Sequence, residues 1–414
     1  MKVLVLAPRP LSPAYDGGTV ATVRCIRGLA EAGASVTVLS MKTEKHQSGG
    51  ADAPDYLFHY RSVSVKTSVR PLSLLLNLAF SRKPYDLARF ISREYSEALR
   101  EIISAGSFDL IHCEGLVFAL YLDQIRKLTS APVVLRAHNL EHRIREMMAA
   151  EELSPLRRFY LSNLSRRLKR LERRAAAQFD AIVPISGPDS DWFSRSASGR
   201  PVFLCETGAD KASFIPEPVN IPPSVGFLGS MNWQPNLDGI RWFIESVWPL
   251  ILKVMPDACL RLAGREIDAV KKSIPQAMNL SVEGEPDDAR TFIASNHVMI
   301  APLFAGSGLR IKIIEAMSAG RPVVATPVAA EGMETYAGKA LTEETGETGN
   351  SAGEALTIAA YPESFSHALV RYLADPELRS SGSMAAVKLV HERFDNRTLT
   401  AGLLEFYMKL AHDS

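Results

Sequence analysis

Short runs of apolar residues alternate with longer segments of mixed polarity along most of the chain. The first run, KVLVLA at 2–7, is followed by a segment over Thr19–Ala32 in which apolar residues recur every three or four positions, as on the buried face of a helix. Further apolar runs of strand length lie at 35–40, 108–113, 132–137 and 179–185. Continuous apolar strands that alternate with helices predict an α/β protein whose parallel sheets are covered on both faces.

The pattern is interrupted at FIPEPVNIPPS (214–224), where four prolines disfavour both helix and central strand. This segment is interpreted as a linker between an N-terminal domain at 1–215 and a C-terminal domain at 216–394. Two domains of similar size predict a cleft between them, with ligands bound beyond the carboxyl ends of the strands. After the linker the pattern restarts, with a helix predicted over Asn236–Val254 and strands at 224–229, 258–264, 297–302 and 321–326. The last segment, 395–414, is predicted to be one amphipathic helix.

Length and composition fit a folded protein with a large core, since 46% of the 414 residues are apolar and 22% are charged. The four cysteines lie far apart in the sequence, which argues against a disulfide framework or a zinc site and fits a reducing compartment. The first apolar run is too short for a signal sequence, and no run of about 18 apolar residues occurs. We therefore expect a cytoplasmic protein.

The stretch GSGLRIKIIEAMSAGRPVVAT (306–326) carries the most informative chemistry. Gly306 and Gly308 allow a ligand to approach the backbone closely, before a helix predicted to start near Leu309. A helix start binds anions through its unpaired N–H groups, and Arg310 and Lys312 add two cations suited to a diphosphate. Glu315, about one turn further on, can accept hydrogen bonds from two ribose hydroxyls. The set predicts a nucleoside diphosphate site; the alternative is a solvated helix start in which Glu315 pairs with either cation.

The same stretch resembles the signature of the family-4 retaining glycosyltransferases, which have the GT-B fold. The resemblance covers most of the chain, and FLGSMNWQPN together with GSGLRIKIIEAM is typical of a subgroup that acts in bacterial surface polysaccharide assembly. It implies two Rossmann-like parallel-sheet domains that face each other across a cleft, with the final helix crossing back to the first domain. The other similar segments are DGGTVATVRCIRGLAEAGASVTVLS (16–40), FDAIVPIS (179–186), TGAD (207–210) and GFLGSMNWQPN (226–236).

The resemblance also assigns roles. Glu315 would bind the ribose of the donor nucleotide, and Arg310 and Lys312 would bind its diphosphate. The chain departs from the family pattern at Ser307, where the family carries a glutamate near the donor sugar. It also lacks the family's Gly-Arg and Lys in the loop after the first strand of the C-terminal domain, where GSMNWQPN stands instead. More of the diphosphate charge would therefore fall on Arg310 and Lys312.

Several further residues lie at predicted carboxyl ends of strands. Gly17 and Gly18 precede the first helix, and Gly229 and Ser230 occupy the corresponding loop of the second domain. Both pairs can present backbone N–H groups to phosphate or sugar, although each can also be a plain turn. Arg265 follows another predicted strand and would border the nucleotide base, or form an ordinary turn. Since no GxGxxG occurs, a dinucleotide fold is not expected.

His138 follows the predicted strand PVVLRA and would face the cleft. By the resemblance, a histidine at this point contacts the donor sugar near the reacting carbon. The alternative is a structural histidine with satisfied hydrogen bonds.

A basic helix is predicted at 156–174, with eight Arg and Lys and one acid. Leu161, Leu164, Leu168 and Leu171 form a narrow stripe along it. The favoured interpretation is a solvated helix packed through its leucines; the alternative is docking on anionic lipid, which would suit a lipid-linked acceptor. Nucleic-acid binding is not expected, because no recognised nucleic-acid module accompanies the charge.

The resulting prediction is a retaining glycosyltransferase of hexosyltransferase type, which moves a sugar from a nucleotide-diphosphate sugar to a saccharide or lipid-linked hydroxyl acceptor. The donor is expected to be UDP- or GDP-linked. No cofactor beyond this substrate is expected, and no metal, because no convincing DxD motif occurs. The protein would be cytoplasmic, or peripheral at the inner face of the membrane. Two alternatives remain open: a non-catalytic nucleotide- or sugar-binding module, and a GT-B nucleotide-sugar epimerase.

Overall fold

The apolar run KVLVLA forms strand β1, which lies inside a sheet of six strands in the order β3-β2-β1-β4-β5-β6. Every pairing in this sheet is parallel. The strands are β1 Lys2–Ala7, β2 Ser35–Thr43, β3 Phe58–Val65, β4 Leu110–Glu114, β5 Val133–Ala137 and β6 Ala181–Pro184. Strand β3 was not predicted, because it lies at the sheet edge, is only partly buried, and has no continuous apolar run.

Helices cover both faces of this sheet, because alternate side chains of a strand point to opposite sides. In β1, Leu4 and Leu6 belong to one buried core, and Val3 and Val5 belong to another. The helices are α1 Gly17–Glu31, α2 Pro71–Phe80, α3 Tyr85–Ala88, α4 Arg93–Ala105, α5 Leu122–Leu128, α6 Glu141–Glu151, α7 Pro155–Gln178 and α8 Gly187–Ser196, with a 3-10 turn at Leu116–Leu120.

A second sheet of six strands has the order β12-β11-β10-β7-β8-β9, and its pairings are also parallel. Its strands are β7 Ser224–Leu228, β8 Cys259–Ala263, β9 Leu280–Val282, β10 Val298–Ala301, β11 Val323–Ala325 and β12 Leu356–Ile358. Its helices are α9 Gln234–Trp242, α10 Trp248–Val254, α11 Ile267–Val270, α12 Ala289–Ala294, α13 Ile311–Ser318, α14 Pro362–Ala374 and α15 Pro376–Arg393. The two sheets confirm the predicted α/β class.

The helix predicted over Asn236–Val254 is observed as α9 and α10 joined by a π-helical turn at Phe243–Val247. Pro249 lies in the first turn of α10, where its missing N–H removes one hydrogen bond of a regular helix. The last helix, α16 Asn396–His412, packs on α1: the Asn396 side chain donates to the carbonyl of Arg24 at 3.0 Å.

The computed structural model describes residues 1–12, 17–44, 57–209, 215–218, 221–306, 308–333 and 354–413. The chain divides into two compact units. The first is Met1–Thr207 together with Asn396–Ser414, and the second is Gly208–Asp395. Residues 210–214, at the end of the domain predicted to span 1–215, lie outside the described residues.

Candidate functional site

The glycine turn after β10 has the backbone conformation that its sequence suggests. Gly306 and Gly308 have φ of 147° and 81°, a region that side chains with a Cβ rarely adopt. Ser307, between them, lies outside the described residues. Helix α13 begins at Ile311 rather than near Leu309, since Arg310 is its extended N-cap residue with φ −89°. Arg310 therefore stands at the entrance of the helix and Lys312 in its first turn.

Arg310 is buried, and its guanidinium lies against the glycine turn. A Cβ built on Gly306 would come 2.4 Å from Arg310 Nη2. Gly306 is thus required both for its backbone conformation and for the space that this cation occupies. Leu309 is buried beside it, so its side chain packs in the core and only its backbone is a candidate for ligand contact.

Lys312 is half-buried, and its ammonium is held by two groups from the neighbouring strand and helix. Nζ donates to Asn236 Oδ1 at 2.7 Å and lies 4.4 Å from the centre of the Phe227 ring. Burial, assisted by the nearby charge of Arg310 and opposed by Glu315, lowers the pKa of Lys312 to about 7. Glu315 is half-buried on the next turn of α13. Because this ammonium is poorly solvated, an added anion would interact with it strongly.

Gly229, in the loop after β7, was expected to offer its backbone N–H to the donor, but its role in the structure is to leave room for the side chain of Lys312. The Gly229 N–H donates to the carbonyl of Ala263 at 3.1 Å, so it belongs to the sheet. A Cβ built on Gly229 would lie 2.9 Å from Lys312 Nζ, and one built on Gly264 would lie 2.0 Å from the Gly229 carbonyl oxygen. These glycines allow strands β7 and β8 to end close to the lysine.

Ser230 and Arg265 lie in the same loops. The carbonyl of Ser230 accepts from Asn236 Nδ2 at 2.7 Å, and the carbonyl of Arg265 accepts from the Met231 N–H at 2.9 Å. Since β10, β7 and β8 are adjacent, the predicted residues of the second unit gather at the carboxyl edge of one sheet.

In the first unit, His138 follows β5 and lies in a buried ionic network. Its Nε2 contacts Glu114 Oε2 at 2.5 Å, and Glu114 Oε1 contacts His112 Nε2 at 2.9 Å. Arg136 Nη1 and the Thr22 hydroxyl reach the same carboxylate at 3.4 and 3.3 Å. Burial alone would favour the neutral acid, but Arg136, then His112 and His138, outweigh it and hold the pKa of Glu114 well below its usual range.

Gly17 and Gly18 are the first two residues of α1, at the carboxyl edge of the first sheet. Thr22, on the same helix, brings α1 into contact with Glu114. The structure therefore links the helix that these glycines begin to the His138 network through Thr22. Residues 13–16 before them lie outside the described residues.

A small cavity of about 30 Å³ lies beside His138 and is large enough for one water molecule. Glu172 of α7 lines it and forms a hydrogen bond with His142 Nδ1. Burial raises the pKa of Glu172, and the bond to His142 opposes that shift. His142, buried and paired in this way, has a structural role.

Cys25, His112 and Glu114 bring possible metal ligands within 4.8 Å of one another. The two nitrogens of His112 already contact Tyr407 Oη at 2.8 Å and Glu114. Burial raises the pKa of the Cys25 thiol, and Arg136 supplies the positive charge beside the carboxylate. The cluster is accounted for by its own hydrogen bonds and ion pairs, and it does not fit a metal centre.

Three contributors were missed by the sequence analysis: Glu114, Arg136 and Asn236. Arg136 had a detectable signal, because it is a charged residue in the apolar run 132–137 that was predicted to be a buried strand, and Glu114 directly follows the strand predicted at 108–113. Asn236 had no such signal in the sequence, since its role depends on Lys312, which is far from it along the chain.

Two all-parallel sheets, each with polar residues gathered at its carboxyl edge, define a two-domain α/β protein of the nucleotide-binding kind. The family described as "Glycosyltransferase Family 4" matches residues 15–210, and the family described as "Glycosyl transferases group 1" matches residues 222–375. The chain is a glycosyltransferase of the GT-B fold. No helix in the described part of the chain combines the length and apolarity needed to cross a bilayer.

The fold is shared with solved structures at low sequence identity. Sucrose-phosphate synthase from Thermosynechococcus elongatus is 16% identical with a TM-score of 0.71, and the two chains cover each other fully. Anabaena HepE, solved with UDP-glucose, is 15% identical with a TM-score of 0.63, covering 99% of this chain and 100% of its own. Among curated proteins, the "uncharacterized 44.6 kDa protein in cps region" of Klebsiella pneumoniae is 21% identical over 77% of this chain and 80% of its own length.

Proposed function

We propose that the protein transfers a sugar from a nucleotide-diphosphate sugar to a hydroxyl acceptor with retention of anomeric configuration, in bacterial polysaccharide or glycoconjugate synthesis. The observation that carries this proposal is the juxtaposition of the Gly306 and Gly308 turn with Arg310, Lys312 and Glu315 at one sheet edge. Two cations at a helix start suit a diphosphate, and a carboxylate one turn away suits the two hydroxyls of a ribose.

The related proteins support the choice of donor and pathway. Anabaena HepE has been crystallised with UDP-glucose, and S. aureus TarM, at 10% identity and a TM-score of 0.65, with UDP. WaaG is described as a glycosyltransferase involved in lipopolysaccharide biosynthesis, and the Klebsiella relative is encoded in a cps region. UDP-linked sugars are therefore the first donors to test, followed by GDP-linked sugars.

In the proposed reaction, the bond between the anomeric carbon and the diphosphate oxygen breaks, and a bond from the same carbon to the acceptor oxygen forms on the same face. The acceptor proton passes to the departing phosphate oxygen, so no enzyme carboxylate is needed as a nucleophile. Arg310 and Lys312 stabilise the charge that grows on the leaving nucleoside diphosphate, and their positions are set by Gly306 and Asn236 before the donor binds.

His138 is proposed to shape the sugar site rather than to act as a base. Its ring is 18% exposed, and Glu114, fully buried beneath it, holds Nε2. A ring fixed in this way presents one orientation to a sugar, which is the preorganisation that a positioning role requires.

The test is to incubate the purified protein with UDP-, GDP-, ADP- and TDP-sugars, with and without saccharide acceptors, and to measure released nucleoside diphosphate. NMR of the product then reports whether the anomeric configuration is retained. Lys312→Ala and Glu315→Ala should each reduce turnover at least about a hundredfold while the fold survives. Lys253→Ala and Glu363→Ala, at exposed positions of the same unit, are the matched controls.

Near-normal turnover in either site variant contradicts the assignment. Binding without turnover, when suitable acceptors have been offered, indicates a non-catalytic module instead. An altered sugar on an intact nucleotide indicates an epimerase. Activity that disappears with EDTA and returns with a divalent cation contradicts the expected metal independence.

A further inference from the structure

Helix α2 is apolar in sequence yet lies on the surface. It reads PLSLLLNLAF, and none of its ten residues, all of which the structure describes, is buried. Leu72, Leu75, Leu76 and Phe80 are 70, 62, 51 and 85% exposed. Exposed apolar groups of this size and continuity mark a surface that contacts another apolar phase.

Polar contacts at its two ends attach α2 to the first unit. At its start, the Arg70 N–H donates to the Tyr85 hydroxyl at 3.0 Å. At its end, Arg167 of α7 donates from Nη1 to the carbonyl of Asn77 at 3.0 Å and from Nη2 to that of Leu78 at 2.7 Å. The bonds from Arg167 satisfy carbonyls of the last helical turn, while Leu72, Leu75 and Leu76 remain exposed.

The charge around α2 indicates the kind of partner. The exposed cations Lys66, Arg70, Arg82 and Lys83 flank the helix, and residues 57–85 contain no acid. Helix α7, which holds the end of α2, carries eight Arg and Lys in 156–174. Its one acid there, Glu172, is buried against His142 and does not offset the surface charge. Two acids lie near this rim: Glu94 interacts with Lys66, and Asp86 pairs with Arg145. An apolar surface whose rim carries a net positive charge is complementary to an anionic bilayer.

Length supports the same assignment. Ten residues span about 15 Å as a helix, half of the hydrocarbon thickness, so α2 cannot cross a bilayer. An exposed helix of this length that carries leucines between flanking cations fits the boundary between headgroups and acyl chains.

We propose that α2 inserts its leucines and Phe80 into the interfacial layer of an anionic membrane, while Lys66, Arg70, Arg82, Lys83 and the basic face of α7 bind the lipid phosphates. Lipid docking was only the alternative interpretation of 156–174, and in this proposal α2 supplies its apolar part. This surface does not depend on the proposed transfer chemistry, although it would bring the protein to lipid-linked acceptors.

The full-length protein is tested by flotation with vesicles of phosphatidylcholine alone and of phosphatidylcholine with phosphatidylglycerol. Wild type should float with the anionic vesicles and dissociate as salt is raised. Leu75→Gln/Leu76→Gln/Phe80→Gln should weaken binding at least about tenfold, and removing Arg82 and Lys83 should weaken it roughly fivefold per charge. Because none of these residues is buried, the variants should keep the wild-type circular dichroism and melting temperature.

Matched controls lie on the second unit: Val254→Gln/Met278→Gln removes similarly exposed apolar side chains, and Lys271→Gln/Lys272→Gln removes two exposed cations. Both should bind anionic vesicles as wild type does. The proposal is overturned if wild type does not float, if the α2 variants bind unchanged, or if they instead convert a dimer to a monomer in sedimentation. UDP titration of the same variants reports on the donor site separately, and Lys312→Ala should still float.

Discussion

Tyr407 of α16 contacts His112 of β4, with 2.8 Å between its hydroxyl oxygen and the Nδ1 nitrogen, although 295 residues separate them in the chain. The C-terminal helix therefore completes a buried network of the first unit that continues through Glu114 to His138. Its side chains are available only after the chain has passed through the second unit and returned.

Tyr407→Phe should destabilise the first unit by about 1–3 kcal/mol, because it leaves a buried polar atom of His112 without its partner. Urea unfolding of the full chain, followed by fluorescence, measures the loss. Tyr361→Phe, at an exposed position of the second unit, should change stability by less than about 0.5 kcal/mol. Equal effects of the two substitutions would show that the Tyr407 hydroxyl contributes nothing specific.

Glu114→Gln should cost about 3–5 kcal/mol, because it leaves Arg136 buried without its carboxylate. The pKa of Glu114 is lower in the folded protein than in the unfolded chain, where it is about 4.3. The ionised carboxylate therefore stabilises the folded protein fully above about pH 4.3, and this stabilisation is lost as the pH falls through the pKa of the folded state. Thermal unfolding between pH 7 and pH 3 should therefore show that the variant loses less stability on acidification than wild type does. Glu101→Gln, in the exposed pair with Arg61, is the control and should cost less than about 1 kcal/mol.

UDP affinity should fall as the pH rises from 7 to 9, by at most about tenfold per pH unit. Because the pKa of Lys312 is low, its side chain is mostly neutral at pH 9 and must take up a proton before it can bind the phosphate as a cation. Calorimetry at both pH values, in two buffers of different ionisation enthalpy, measures affinity and proton uptake together. Lys312→Ala should bind more weakly at pH 7 and lose the pH dependence. An unchanged dissociation constant without proton uptake in wild type would refute this role for the lysine.

Gly229→Ala should reduce nucleotide binding at least about tenfold and destabilise the second unit by about 1–3 kcal/mol, because the new Cβ would lie 2.9 Å from both Lys312 Nζ and Asn236 Nδ2. UDP titration and urea unfolding measure the two effects. Gly402→Ala is the matched control: its Cβ meets no atom within 4 Å in the described chain, and in α16 it should stabilise by about 0.5–1 kcal/mol. Normal UDP binding by Gly229→Ala would mean that the ammonium position is not critical.

Much of the fold was predictable because a buried parallel strand needs an unbroken apolar run, and that requirement is local. β1 coincides with its predicted bounds, and β7 and β8 differ from theirs by one residue at most at each end. The edge strands β3 and β12 were missed; β3 is only partly buried and has no continuous apolar run. The start of α13 was misplaced by two residues, because Arg310 has an extended backbone and is the N-cap residue of the helix.

The sequence by itself determined which residues stand after strands and at helix starts, and therefore that Arg310, Lys312 and His138 lie at the carboxyl edges of parallel sheets. Only the tertiary structure decided their surroundings. Asn236 contacts Lys312, and Glu114 contacts His138. Three leucines of α2, Leu72, Leu75 and Leu76, remain exposed although their pattern alone would also suit a core helix. The reason is physical: backbone conformation follows largely from neighbouring residues, whereas burial, ion pairing and pKa depend on side chains that long-range packing brings together.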